Sequence, residues 1–478
     1  MRTSITSRLT IASLLLTLPA GCTVGPRYHR PSVNTPDVFR GASDRSPTPG
    51  IPPDPNSFAD LKWFEVFKDP QLQDLIKTAS TQNFDIREAA ARISAARAVL
   101  GLTRAEQFPE ISASAEITKL RNSTKGSFPL PPGTSRDRTF GTVLLNLLSF
   151  EIDVWGRLRR QTEAARAQLQ GSEEDRKAVM TTLVSDIATS YFALLELDME
   201  LDIARRTLAA RQDSLALIKV RQQGGVATML DVRQGEQLVY TASQTVPDVE
   251  RQIEQTENLL NLLAGKNPAA VTRGQSLTAQ EQPPSVPPGL PSSLLERRPD
   301  IRAAEQFLIA ANANIGVAKA AYFPQISLTG FLGTQSNQLS SLFRGPTSTW
   351  QFIPQITQPI FNAGRIKSNV KFAKAQQEIA LIEYEKSIRT AFREASDALV
   401  QYRKVREIRT QQDLLVTTLE DRSRLAYLRY RGGVDTLLNA LDADRDLFNA
   451  QLNLAQTKRD ELLSLVQLYK ALGGGWQQ

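Results

Sequence analysis

The sequence predicts a mainly helical chain that carries a few membrane-spanning β-strands and is built twice from one unit. Three observations lead there. The first is a repeat. A shift of 215 residues lays Asp85-Ile86-Arg87-x-Ala89 on Asp300-Ile301-Arg302-x-Ala304, and Phe108-Pro109-x-Ile111-Ser112 on Phe323-Pro324-x-Ile326-Ser327; between Asp85 and Ser112, 13 of 28 positions are identical without a gap. A shift of 208 lays Gly156-Arg157 on Gly364-Arg365, and Arg221-x-x-Gly224-Gly225-Val226-x-Thr228 on Arg429-x-x-Gly432-Gly433-Val434-x-Thr436. One unit of roughly two hundred residues therefore occurs twice in tandem, a period far too long for a solenoid. The second observation is a seven-residue apolar period, as in Leu441, Phe448, Ala455, Leu462 and Tyr469, or Leu381, Ile388, Ala395 and Tyr402 with Ala391, Ala398 and Val405 between them. That spacing gives a helix with a coiled-coil seam. The third is a period of two. Ile111, Ala113, Ala115 and Ile117 alternate with Ser112, Ser114, Glu116 and Thr118, the pattern of a strand with one apolar and one wet face.

The elements follow in order. Residues 1–21 read as an export signal: Arg2 and Arg8 precede the apolar run Leu9–Leu18, which is too short to span a bilayer. Cys22 follows Leu-Pro-Ala-Gly and is the only cysteine, so it has no disulfide partner within the chain. Its setting looks like a bacterial lipobox, with Pro19 where leucine is usual and Leu18 one place earlier; the expectation is a lipid-carrying N-terminal residue, and no other cofactor. Residues 22–75 form a Pro- and Ser-rich tether leading into an equatorial segment. The first repeat, 76–265, then gives an Ala-rich helix over about 80–107, two strand-like runs (111–118 and 140–155), a long helix over 157–223, a Gly-Gly break and a helix over about 228–264. A Pro-rich linker, 266–295, leads to the second repeat, 296–472. It repeats the order: helix 299–322, strands at 326–329 and 350–361, long helix 365–431, Gly-Gly break and helix 435–472. A tail, 473–478, closes the chain. Pro247 is expected to kink its helix and remove one backbone hydrogen bond. Trp155 and Trp350 fit an interfacial girdle.

Lengths suggest an arrangement. A helix of 67 residues is about 100 Å long, and the two shorter helices of a repeat sum to nearly that. They are expected to stack end to end beside the long one, with the strands at one extremity and the Gly-Gly turns at the other. Four strands cannot close a barrel, and open edges are not tolerated in lipid. A ring of two, three or four chains would give 8, 12 or 16 strands.

Composition narrows the function. The net charge is +7 over 478 residues, spread as mixed Arg, Glu and Asp along helical stretches, which argues against a nucleic-acid partner. His29, the only histidine, lies in the tether as a solvated side chain, and the sequence holds no phosphate loop, metal-ligand spacing or cysteine nucleophile. No enzyme site and no transmembrane helix are expected.

Four stretches carry a resemblance: Cys22-Thr-Val-Gly-Pro-Arg-Tyr-His-Arg-Pro31, the run from Leu290 to Glu305 with Arg297-Arg298-Pro299-Asp300, Ala321-Tyr-Phe-Pro-Gln-Ile-Ser327, and the ending Tyr469-Lys-Ala-Leu-Gly-Gly-Gly-Trp476. In this order on a duplicated chain, they resemble the TolC/OprM-type outer-membrane factors, in particular the NodT-like lipoproteins of RND efflux systems, over nearly the whole length. The resemblance implies a homotrimer: a 12-stranded barrel in the outer membrane of a Gram-negative bacterium, continued by a 12-helix α-barrel through the periplasm. It implies a passive exit duct served by an inner-membrane RND transporter and a periplasmic adaptor. Gly224, Gly225, Val226 and Thr228, with Gly432, Gly433, Val434 and Thr436, would be adaptor-docking tips, the glycines permitting the positive φ of a sharp reversal. Arg221 and Arg429 sit one turn before the tips, where acidic neighbours could pair with them. Leu438 and Asp442, four apart on one helical face, match the family's constriction, so three copies would form an apolar ring and an acidic ring. Like charges held there would raise carboxylate pKa values or attract a cation. The first repeat has Leu230 but Gln234 at the matching places, so the acidic ring would come from the second repeat alone. A type I secretion duct and a pore-free, lipid-anchored coiled-coil scaffold are the alternatives.

Overall fold

The structure is a computed structural model, and it describes residues 23–41, 57–123, 125, 131, 133, 135–281, 286–287 and 289–476. The signal segment and Cys22 lie outside the described residues. The chain divides into two compact units that cut across the repeats. One comprises Ile93–Gly171, Ala304–Glu383 and the described residues up to Pro31; the other comprises the described residues of Ser32–Arg92, Ser172–Ala303 and Tyr384–Gln478.

After a 3-10 turn at Phe58–Asp60 the helices and strands run α1 (Trp63–Val66), α2 (Pro70–Gln82), α3 (Phe84–Ala105), β1 (Ile111–Arg121), β2 (Asp137–Glu151), α4 (Arg157–Gln223) and α5 (Met229–Leu263). The second half gives α6 (Leu294–Arg297), α7 (Pro299–Ala320), β3 (Gln325–Ser336), β4 (Ser348–Thr357), α8 (Arg365–Arg431) and α9 (Leu437–Ala471). Both long helices have 67 residues. The first helix expected at 80–107 is in fact two. Asn83 breaks it, because its side chain accepts from the N–H groups of Asp85 (2.8 Å) and Ile86 (3.1 Å) and so caps α3 afresh.

In the first unit the strands form one antiparallel sheet in the order β1-β2-β3-β4. The registers place Ala113 opposite Leu145, Leu145 opposite Leu332, and Leu332 opposite Trp350. One face therefore carries Ile111, Ala113, Ala115 and Ile117 from β1, Val143, Leu145 and Leu147 from β2, Ile326, Leu328 and Leu332 from β3, and Trp350, Phe352 and Ile356 from β4. Ile111, Ile117, Leu145, Leu332, Trp350, Phe352 and Ile356 all stay exposed. The apolar phase of β2 changes from odd to even positions after Leu147, and a register shift between Leu147 and Phe150 accounts for it: one extra residue keeps Phe150 and Leu328 on the apolar face. β2 ends at Glu151 rather than Trp155, since the Asp153 carboxylate turns to accept the N–H groups of Leu158 (3.2 Å) and Arg159 (2.9 Å) at the start of α4. Trp155 is packed within the chain. It stacks on Phe323 at 4.8 Å and donates to the Pro324 carbonyl at 2.7 Å, while Trp350 remains on the open apolar face.

The helices of this unit follow the strand order. Thr162 of α4 donates to the Thr103 carbonyl of α3 at 3.2 Å, Ala164 and Ala167 of α4 pack on Ala310 and Ala313 of α7, and Ile315 and Ala318 of α7 pack on Val370 and Ala373 of α8. Residues 24–30 of the tether are held against this unit. Val24 donates to the Trp155 carbonyl at 3.0 Å, Asn312 donates to the Pro26 carbonyl at 3.2 Å, and Tyr28 reaches Glu305 at 3.1 Å. Arg30 pairs with the same Glu305 at 3.0 Å.

In the second unit the ends of the short helices meet in both repeats. The Asn83 amide donates to the Leu263 carbonyl at the end of α5 (2.9 Å), and Arg298, its counterpart, donates to the Ala471 carbonyl at the end of α9 (3.1 Å). The heptad positions Leu441, Phe448, Ala455, Leu462 and Tyr469 are buried, as are Ile388, Ala391, Ala395 and Ala398. α5 continues through Pro247 as one element; the missing N–H leaves the Ser243 carbonyl without its helical partner. Among the described helices α4 alone has a window apolar enough to cross a bilayer (mean hydropathy 1.4), and 61% of that window is buried inside the protein. That is the signature of a core helix.

Candidate gate and docking tips

Both long helices end the same way. At the first tip the Val226 N–H donates to the Arg221 carbonyl (2.9 Å) and the Gly225 N–H to that of Gln222 (3.0 Å). At the second, the Val434 N–H donates to the Arg429 carbonyl (3.1 Å) and the Gly433 N–H to that of Tyr430 (3.1 Å). This crossed pair is a Schellman end, which needs one left-handed residue. Gly225 (φ 73°) and Gly433 (φ 71°) supply it; Gly224 and Gly432 are not in the left-handed region, so only the second glycine of each pair is required by φ. Val226 and Val434 project outward and are exposed at both tips.

The tips diverge beyond the turn. Thr228 and Asp231 form a reciprocal cap at the start of α5. Thr436 makes no side-chain cap bond. In its place Asp435 accepts from Arg429 Nε (3.0 Å), Asn439 Nδ2 (2.7 Å) and the Thr436 N–H (2.8 Å). Arg429, then Asn439 and the Thr436 N–H, hold the Asp435 carboxyl below its usual range. The two tip arginines thus have different fates. Arg429 has its acidic partner, whereas Arg221, whose repeat has Ala227 in place of Asp435, lies with its guanidinium 4.8 Å from the Tyr430 ring. Ile218, Val232, Tyr430, Leu437, Ala440 and Leu441 close the core beneath both tips.

Leu438 and Asp442 lie one turn apart on α9, on the side away from that core: Leu437 and Leu441 are buried and Leu438 is half exposed. Asp442 is ion-paired within its own helix. Arg445 Nη1 lies 3.1 Å from it and Nη2 3.3 Å from Asp446, which pairs in turn with Arg422 of α8 at 2.8 Å. Leu230 is likewise exposed on α5. Sequence reasoning missed Arg445, Asp435 and Tyr430, which the repeat does not mark because the first repeat holds Ala227 and Gln222 where the second holds Asp435 and Tyr430. It also missed Arg211, a buried guanidinium that donates to Asp444 (2.7 Å) and the Leu238 carbonyl (3.1 Å) and so ties α4 to α9 and α5.

Known proteins resemble the chain over both repeats. The sequence profile of a family described as outer membrane efflux protein matches residues 75–266 and 290–474, one segment on each repeat. The toluene efflux pump outer membrane protein TtgF of Pseudomonas putida is 39% identical over 463 residues, covering 96% of this chain and 95% of that protein. The probable outer membrane lipoprotein SilC of Salmonella typhimurium is 35% identical, with 96% of each chain covered. Among solved structures, the open state of the MtrE outer membrane channel of Neisseria gonorrhoeae superposes with a TM-score of 0.84 at 30% identity, over 95% of this chain and 99% of that one. With both repeats matched, the fold superposed over 95% of the chain and at least 95% of each relative covered, this chain belongs to the outer membrane efflux protein family and is an outer-membrane efflux channel protein.

Proposed function

We propose that three copies of the chain close into a gated, passive exit duct. Small molecules would be handed to it by an inner-membrane RND pump through a periplasmic adaptor. The observation that carries the reading is the four-stranded sheet of the first unit, with one continuous apolar face and both edges unpaired among the described residues. A lone sheet of this kind has no stable place in a bilayer, and a ring of sheets does. The apolar face also argues against a pore-free scaffold. The adaptor would engage the tips at 224–228 and 432–436, where Val226 and Val434 are exposed. Lipid on Cys22 would tie the chain to the membrane next to Thr23, which packs against Gly156 at the junction of β2 and α4. Leu438 and Asp442 would form the constriction, with Arg445 setting how much of the aspartate's charge the ring presents. Docking of the adaptor would favour an open state through contacts made only there.

Single-channel conductance in a planar bilayer tests this. Wild type should show small, cation-preferring currents, and Leu438→Ser combined with Asp442→Ala should show larger ones with less cation preference. Membrane insertion without current from either protein would overturn the duct.

A further inference from the structure

Resting on the ring reading, we infer that β4 of one chain pairs with β1 of its neighbour in one register, with Ile356 opposite Ala115, Pro354 opposite Ile117 and Ile360 opposite Ile111 of the neighbouring chain. The duplication supplies the template. Inside the chain, β2 of the first repeat already pairs with β3 of the second. In a ring, β4 is to the neighbour's β1 what β2 is to β3.

The transfer is direct. Moving β3 back by the repeat shift of 215 puts Ile326 on Ile111, Leu328 on Ala113, Gly330 on Ala115 and Leu332 on Ile117. Near the helices, the shift of 208 that aligns Gly156 with Gly364 puts Phe150 on Gln358 and Ile152 on Ile360. The internal pair Phe150–Leu328 and the bond from the Ile152 N–H to the Ile326 carbonyl (2.9 Å) then become Gln358–Ala113 and Ile360 to Ile111. Farther along, β4 runs from Ser348 to Thr357 without the irregularity seen in β2. Removing that extra residue puts Leu147 on Ile356 and Leu145 on Pro354, which keeps the apolar positions on one face. Leu147–Gly330 becomes Ile356–Ala115, and Leu145–Leu332 becomes Pro354–Ile117. Both ends give the same unbroken register, although the internal template is itself irregular.

Exposure shows that the neighbour's half of each contact is missing within one chain. Ile152 is 43% exposed but its counterpart Ile360 is 90% exposed, and Phe323 is 37% exposed against 71% for Phe108. The helices repeat the point. A Cβ on Gly316 would meet the Val24 carbonyl at 2.7 Å and Arg160 Cγ at 2.9 Å, while the counterpart Gly101 has nothing within 4 Å. The register also sets Gln355 opposite Glu116 on the polar face. The bond copied from Ile152 places residue 355 at a pair without ladder bonds, where Cα atoms lie about 4.5 Å apart, close enough for a disulfide.

The test is cross-linking of Gln355→Cys with Glu116→Cys, beside the controls Gln355→Cys with Ser114→Cys and Gln355→Cys with Thr118→Cys. Oligomer mass in detergent is measured alongside. The matched pair should convert most of the protein to covalent oligomers on a non-reducing gel, at least fivefold more than either control. A control pair that cross-links best overturns the register. Intact native oligomers with no cross-link in any pair overturn the contact between β4 and β1. Monomers only, for the unsubstituted chain as well, would instead sink the ring reading on which the inference rests.

Discussion

Asp69 offers the sharpest test of how the second unit is held together. Its buried carboxylate accepts from the Gln71 and Leu72 N–H groups at the start of α2 (2.9 and 3.4 Å), from Tyr191 of α4 (3.0 Å), from the Gln275 N–H (2.9 Å) and from Gln280 Nε2 (2.9 Å). Burial pushes this carboxyl up, but the bonds from Gln280, Gln275, Gln71 and Tyr191 outweigh it and hold it below 3.8. Its contribution is therefore present above that value and lost only as pH falls below it. Asp69→Ala removes the α2 cap, about 1 kcal/mol. It also strands two buried donors, Tyr191 Oη and the Gln275 N–H, at about 1–3 kcal/mol each; Gln280 keeps its bond to the Gln275 carbonyl. The loss is about 3–7 kcal/mol, and tenfold in an equilibrium constant is about 1.4 kcal/mol, so local opening rises by at least about a hundredfold. Hydrogen exchange followed by mass spectrometry reads this directly in the peptides covering 69–82 and 271–280. The reference is Lys68→Ala, which breaks only the exposed Lys68–Glu281 pair (2.8 Å), an interaction of about 0–1 kcal/mol. If Asp69→Ala speeds exchange no more than Lys68→Ala does, the Asp69 network is not what fixes the linker to α4.

Three further outcomes are expected. Glu196 is pushed up to about 8 by burial and by its neighbour Glu200, with Arg459 opposing; the folded state then holds a proton that the unfolded state releases near 4.5, so stability falls from about pH 4.5 to 8. Glu196→Gln should flatten that fall in thermal unfolding scans, and an unchanged slope would refute the assignment. Gly225→Ala and Gly433→Ala should each cost about 1–2 kcal/mol through the left-handed backbone, whereas Gly224→Ala should be mild, since its nearest neighbour to an added Cβ is the Arg221 carbonyl at 3.6 Å; denaturation midpoints check the ranking. Arg445→Gln removes the cation beside Asp442 and should raise cation preference in bilayer reversal potentials, while Asp442→Asn should lower it.

Much of this architecture was legible because it rests on periodicity. The heptads at Leu441 to Tyr469 and the alternation at Ile111 to Thr118 each name a face, and a face names its partner type. The helix lengths of each repeat made it visible that the ends of the short helices meet. What stayed hidden depends on single side chains without a repeat counterpart. Asn83 starts a new helix by turning its carboxamide onto two N–H groups, and Asp153 ends a strand by capping α4; neither leaves a periodic trace. At the candidate gate, Leu438 and Asp442 were found through resemblance, but the charge partner Arg445 was not, because a one-turn ion pair looks like any solvated helix charge until its geometry is known. The tips followed the same rule. Their turns were readable in the two Gly-Gly pairs, but the different roles of Arg221 and Arg429 hang on Tyr430 and Asp435.

The strap formed by residues 23–31 has a bearing on the order of events during biogenesis. Its amide and carboxylate partners, Asn312 and Glu305, lie 286 and 277 positions away along the chain. Bringing such distant points together carries a closure cost that grows with separation, and contacts of this kind form late. The strap thus reaches its resting place only after the whole first repeat and α7 have been made. With α7 in place, Pro26, Tyr28 and Arg30 are clasped along that helix through Asn312 and Glu305.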